Sequence, residues 1–225
     1  MIYLLTPTGG RPEGLALLGE YLNAQTYNGP AMWVVVDDVD PQSHVPACKY
    51  MTQVIRPAWR WEKGQNTQAQ SLLAGLAAIP LDAVLFVIED DDCYLPDYIE
   101  TMLRGLETAD LVGENTARYY NVRTRKWRQM DTKRHSSLAS TAIRGTLPLV
   151  EVCKKRGKFM DTTLWRTYKG RTKLLDAQNV IGIKGLPGRA GIGVGHRHKF
   201  GTPDTGDKLR EWAGDYASNY EVFSA

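Results

Sequence analysis

The sequence predicts an α/β fold: a Rossmann-like, mostly parallel sheet flanked by helices, followed by a smaller region. Three observations predict it. Over the first 115 residues, short apolar runs alternate with segments of helical period, the pattern of βαβ units. Two of those runs, "MWVVVDDVD" and "AVLFVIEDDD", pass directly from strand into acidic pairs, as loops at one edge of an open sheet would. Beyond residue 117 the texture changes to basic and aromatic, so the chain divides into residues 1–116 and 117–225, two halves of one compact domain.

Taken in order, "IYLLT" and "MWVVV" read as buried strands, because continuous apolar runs suit a sheet covered on both faces. Between them, "PEGLALLGEYLNAQTY" places Leu15, Leu18 and Leu22 on one helical face. A second helix over 67–79 aligns Ala69, Leu72, Leu73, Leu76 and Ala77 in the same way. "AVLFVI" is a third strand. After the acidic run, Pro96 opens a helix striped by Ile99, Met102, Leu103 and Leu106. "RYYNVRTRKWRQM" reads as a hairpin turning at 123–126, "STAIRGTLPLVEVCKKRG" as a short strand and a helix, and "DTTLWRTYKG" as a helix opened by Asp161. "GLPGRAGIGVGHRHKFGTPD" reads as a glycine-rich loop.

Composition excludes several classes. No apolar run reaches the roughly 18 residues of a membrane span, and "MIYLL" is too short and uncharged for a signal peptide, so a soluble cytoplasmic protein is expected. Cys48, Cys93 and Cys153 show neither CxxC nor Cys/His spacing, which argues against a disulfide frame or structural zinc. The first strand is followed by neither GxGxxG nor GxxxxGK[ST], and no GxSxG elbow occurs. The net charge of +3 hides an asymmetry. Residues 1–117 carry 6 basic and 16 acidic groups, residues 118–173 carry 16 and 3, and residues 174–225 carry 6 of each, so the segment charges are −10, +13 and 0.

The chemical lead is "IEDDDCYLPDYI". Four adjacent carboxylates, at positions 89–92, repel one another and resist burial, so such a run sits in water, on a divalent cation, or against a cationic partner. Hard oxygen donors on a short loop suit Mg²⁺ or Mn²⁺. "TPTGGRP" closes the first strand at the same sheet edge and offers glycines for close backbone approach.

In order and spacing, "LLTPTGGRP", a helix ending in "QTY", "WVVVDD", a helix after "GQNTQAQ", and "FVIEDDDCYLPDYIE" resemble the nucleotide-sugar half of inverting GT-A glycosyltransferases. The likeness covers roughly residues 1–110, with "SSLASTAIRG" and "KFMDTTLWR" more loosely similar to the acceptor-side strand and catalytic segment. It implies a compact GT-A enzyme, a hexosyltransferase using a UDP-sugar and Mn²⁺ or Mg²⁺, with a phage-type DNA-modifying enzyme as one form it could take. By the resemblance, Glu89 and Asp91 occupy the ends of the DxD motif, with Asp91 as metal ligand and His196 as a third. Asp90 lies near the donor ribose. Asp37 or Asp38 contacts the base, Thr6, Pro7, Thr8 and Gly9 line its pocket, and Asp161 is the general base. Asp161 fits a helix N-cap equally well. Two positions depart from the family: Glu89 stands for an Asp, and "QAQS" replaces an Ala-Arg-Asn stretch that helps hold the diphosphate, so an Arg or Lys from the basic half would have to meet that charge.

Two other readings fit less of the sequence. A sugar nucleotidyltransferase matches "TGGRP" but lacks that class's longer glycine-and-arginine signature. A non-catalytic nucleic-acid-binding protein uses Tyr119, Tyr120 and Trp127 among the cations, yet leaves the acidic run unexplained. The basic segment points to a polyanionic acceptor, DNA with hydroxylated bases or an anionic polysaccharide, contacted by Arg123, Arg125 and Lys126. The alternatives are a small-molecule acceptor, and a basic surface that only balances the acidic half within the fold or serves in self-association.

Overall fold

The computed structural model describes residues 1–155, 157, 159–189, 191, 200–205 and 207–223. In chain order the elements are β1 (Ile2–Thr8), α1 (Pro12–Ala24), β2 (Ala31–Asp37), β3 (Met51–Ile55), α2 (Gln68–Leu76), β4 (Val84–Val87), β5 (Cys93–Tyr94), α3 (Tyr98–Leu106) and β6 (Leu111–Glu114). There follow β7 (Thr116–Asn121), β8 (Lys126–Asp131), β9 (Thr141–Arg144), α4 (Leu147–Lys154), α5 (Met160–Thr167), β10 (Thr172–Leu175), β11 (Val180–Lys184), β12 (Thr202–Pro203) and α6 (Asp207–Ala213). Short 3₁₀ turns cover Leu138–Ser140 and Gly214–Phe223.

Seven strands form the main sheet in the order β10-β6-β9-β4-β1-β2-β3. Its pairings are parallel except where β9 runs antiparallel between β4 and β6. The expected α/β architecture is therefore what the chain adopts. Period-2 alternation explains why β1 reads as uniformly apolar: Ile2 and Leu4 enter the core beneath α1, α3 and α6, while Tyr3 and Leu5 enter the core beneath α2, α4 and α5. Fully burying each such side chain contributes on the order of 1.5–3 kcal/mol, so the register of the central strands is firmly held.

A second sheet, β12-β8-β7-β11-β5, is built around the expected basic hairpin. Most of it was not legible: β11, in "NVIGIKG", pairs parallel with β7, 63 positions before it, and antiparallel with β5, 86 to 88 positions before it. The helix expected from Pro96 begins at Tyr98, and Phe159, not Asp161, holds the cap position of α5. No described helix is long and apolar enough to cross a membrane.

Candidate active site

One cleft gathers the chemistry. It lies at the carboxyl ends of β1, β2, β4 and β6, and its wall includes Thr8, Asp38, the acidic loop at 89–92, Glu114, Tyr119, Asp161 and Lys184. This is the edge at which open α/β sheets bind ligands.

The acidic loop is the centre of it. Asp90, Asp91 and Asp92 are 1%, 4% and 4% exposed, and Glu89 is partly buried. The fold meets their charge with cations from both ends of the chain. Arg11 spans Asp90 at 2.6 Å and Asp91 at 2.8 Å, and Lys184 lies 2.9 Å from Asp92 and 3.4 Å from Asp91. Thr8 Oγ1 donates to Asp90 at 2.7 Å, and Gln68 Nε2 donates to Glu89 at 3.0 Å. The "QAQS" departure thus brings an amide to Glu89 in place of a cation. Gly14 lets α1 come this close, since a Cβ there would stand 2.6 Å from the Asp90 carbonyl oxygen.

Burial pushes the Asp90 carboxyl up to about 6, with Arg11 opposing that rise and Asp91 adding to it. Burial likewise raises Glu89 and Asp92. For Lys184 burial works downward, but Asp91, Asp92 and Glu89 outweigh it and hold the ammonium well above its usual range. Glu114 is pushed up to about 7 by burial, against the backbone N–H groups of Asn179 and Val180 that donate to it at 2.6 and 3.3 Å.

Oxygens of Glu89, Asp91 and Asp92 lie within 4.8 Å of one another, so this triad could hold a metal ion. Hard carboxylate donors on a strand-end loop fit Mg²⁺ or Mn²⁺. His196 lies outside the described residues.

The other predicted site residues separate by their depth in the strands and by the side to which they turn. Pro7 and Thr8 line the cleft, whereas Thr6 sits two positions deeper in β1, fully buried, its hydroxyl accepting a 3.0 Å bond from the Trp33 indole N–H. Asp38 faces the cleft, paired with Arg189 at 2.9 Å and hydrogen-bonded by Thr67 and Ser71. Asp37 points the other way and pins the following loop, accepting from the Ser43 N–H at 2.8 Å and hydroxyl at 3.1 Å. Gly9 packs against Asp38, where a Cβ would meet the Asp38 carboxylate at 2.1 Å. Asp161 lines the cleft from the first turn of α5, its Oδ1 accepting the Thr162 N–H at 2.7 Å. Arg123, Arg125 and Lys126 do not line it. They occupy the far turn of the β7–β8 hairpin, the two arginines exposed and Lys126 half-buried.

Arg11, Arg118, Lys184 and Arg189 line the cleft and were missed, and all but Arg118 left a signal. Arg11 precedes Pro12 at the amino end of α1, where the helix dipole disfavours a cation, so an anion nearby is implied. Lys184 ends an apolar strand, "VIGIK", just as aspartates end β2 and follow β4. Arg189, in "LPGRAG", stacks 4.6 Å from the centre of the Trp61 ring, which gives that tryptophan a place in the site.

The architecture with this cleft is a glycosyltransferase fold. It is shared by S. aureus TarS, with a TM-score of 0.57 and 13% identity over 81% of this chain and 37% of that one. TarS 1–349 in complex with UDP superposes with a TM-score of 0.54 and 12% identity, covering 81% of this chain and 60% of that one. The complex of TarS 1–349 with UDP-GlcNAc gives 0.54 and 14%, covering 94% and 64%. The present chain therefore spans between 37% and 64% of the length of those chains. No family model matches the sequence, and no curated protein does.

Proposed function

We propose that this chain is an inverting, metal-dependent glycosyltransferase that moves a sugar from a UDP-sugar to an acceptor hydroxyl. One observation carries the reading: α5 brings the Asp161 carboxylate into the same strand-end cleft as the acidic loop and Asp38. The fold shared with structures holding UDP and UDP-GlcNAc supports it.

In this reading Pro7, Thr8, Gly9 and Asp38 form the nucleoside side, with Asp90 near the ribose. Glu89, Asp91 and Asp92 would hold Mn²⁺ or Mg²⁺, and His196 is a further candidate ligand. A cation held there supplies positive charge for the departing diphosphate. Asp161 accepts the proton of the acceptor hydroxyl. The oxygen then forms its bond to the anomeric carbon on the face opposite the diphosphate. The carbon–oxygen bond to the diphosphate breaks with its electron pair leaving on that group, so the configuration inverts. Residues 1–116 serve the donor and 117–225 the acceptor. Three free cysteines support a cytoplasmic setting.

For the acceptor we favour a polyanion, DNA carrying hydroxylated bases. β7 starts in the cleft wall at Thr116 and leads out to a turn bearing exposed Arg123 and Arg125, with Arg128 exposed on the returning strand. Cations along such an arm suit a phosphate backbone. The test is a panel of nucleotide sugars assayed for thermal stabilisation with and without Mn²⁺. A UDP-sugar is expected to raise Tm only with the metal, and Asp91→Asn to abolish that rise. If no nucleotide sugar binds, the reading fails.

A further inference from the structure

Lys184 stands where a divalent cation would have to stand. Its side chain is 10% exposed, and its ammonium is shared between Asp92 and Asp91 at 2.9 and 3.4 Å. Those carboxylates are two of the three whose oxygens gather within 4.8 Å. Mg²⁺ draws carboxylate oxygens to about 2.0–2.1 Å, so an ion taken up by Asp91 and Asp92 would abut the ammonium. Like charges that close, in a largely buried site, repel strongly. Both cannot hold the same oxygens.

We propose that Lys184 is the resident counter-ion of the acidic loop, and that a divalent cation binds by displacing its ammonium from Asp91 and Asp92 into the cleft. The inference rests on the metal-dependent reading above and adds an exchange step to it. The physical reason for a resident cation is the burial of the loop. Adjacent carboxylates this deeply enclosed would stay protonated or oppose folding without a positive partner, and Lys184 lets the site assemble before any metal arrives. Arg11 is the lesser candidate for exchange, because it also holds Asp90, which lies outside the triad.

The displaced ammonium has somewhere to go. Its Nζ already lies 5.9 Å from the centre of the Tyr119 ring, and Tyr119 lines the cleft. From there it can meet an anionic diphosphate, the role left open by the missing Ala-Arg-Asn stretch. Exchange therefore predicts mutual reinforcement: metal binding frees a cation for the diphosphate, and a bound diphosphate favours the displaced lysine. Such coupling is reciprocal by thermodynamic necessity.

The test is direct Mn²⁺ binding, followed by electron paramagnetic resonance of the free ion, in the wild-type chain and in Lys184→Met without nucleotide. Removing the competitor is expected to tighten Mn²⁺ binding by roughly tenfold or more, since it takes the ammonium from the buried carboxylates of Asp91 and Asp92 and leaves Arg11 to meet only part of their charge. The rise in Tm on saturation with Mn²⁺ should also be larger in the variant. UDP should tighten Mn²⁺ binding in the wild type and do so less in Lys184→Met. If Lys184→Met folds only with Mn²⁺ present, that rescue supports the exchange. Lys184→Gln, which keeps a polar head, then supplies the affinity, expected between the other two. Equal or weaker Mn²⁺ binding on loss of the lysine overturns the exchange and leaves the metal reading standing. Absence of Mn²⁺ binding to both proteins, with and without UDP, overturns both.

Discussion

The acidic loop at 89–92 and the basic hairpin of β7 and β8 are the two strongest charge clusters in the sequence, and they end in opposite environments. The three aspartates of the loop are no more than 4% exposed, held by Arg11 and Lys184. Arg123, Arg125 and Arg128 of the hairpin stand in solvent. A buried run of like charge requires counter-ions, and here one of them comes from 92 and 93 positions downstream of its partners. An exposed run requires none, because water and salt screen it. The first cluster is thus a property of the topology, and the second is a charge left to the solvent.

The largest expected effect tests the one acidic side chain that the basic segment contributes to the cleft. Asp161→Asn cannot accept a proton, so turnover should fall by about 10²–10⁴-fold while UDP-sugar affinity stays near the wild-type value. Steady-state kinetics with separate donor titration checks this, and unchanged turnover would reduce Asp161 to a residue of the helix's first turn.

Arg11→Met strips the loop of its amino-terminal counter-ion. It leaves Asp90 and Asp91 partly uncompensated in a buried setting, and a loss of about 3–5 kcal/mol in unfolding free energy is expected from urea titration. A loss below about 1 kcal/mol would mean that the loop behaves as a solvated surface, like the hairpin.

Glu114 sharpens the comparison through pH. Its carboxyl is raised in the folded state from the ordinary 4.5 to about 7. The folded protein therefore holds this proton more tightly than the unfolded chain. The associated stability is fully present below pH 4.5 and is lost as pH rises through about 7. Glu114→Gln does not titrate, so the wild type should lose up to about 3 kcal/mol relative to it across that window. A difference that does not vary with pH would place Glu114 among ordinary carboxylates.

The smallest effect on stability is expected where the sequence is most charged. Neutralising Arg123, Arg125 and Lys126 together with glutamine should change unfolding free energy by no more than about 0.5 kcal/mol for each exposed position. It should also flatten the log–log salt dependence of duplex DNA binding by about 0.9 for each phosphate that the protein no longer neutralises. Wild-type protein that fails to bind DNA at low salt would remove the polyanion from the acceptor reading.

Much of the main sheet was legible because its signals are local. β1, β2 and β4 announce themselves as apolar runs, α1 and α2 by helical period, and the hairpin by two basic-aromatic stretches around a turn. The strand-end position of the acidic loop followed from the same pattern. β3 was not legible, since its residues are largely exposed and carry no apolar pattern; a glycine interrupts the apolar runs of β6 and β11, and half of β10 is polar.

By itself the sequence determined the α/β layering, the sheet edge that carries the chemistry, and the side chains at 89–92 and 161 that the cleft brings together. Tertiary structure alone decided how those carboxylates are held. Depth along β1 enclosed Thr6 and left Thr8 at the cleft, the end of β2 turned Asp37 away and Asp38 inward, and β11 carried Lys184 beneath a loop far from it in the chain. The physical reason is the range of the information. Periodicity records which face of an element is buried and needs only neighbouring residues, whereas the partner of a buried charge is chosen by which strands lie side by side, and no local pattern records that.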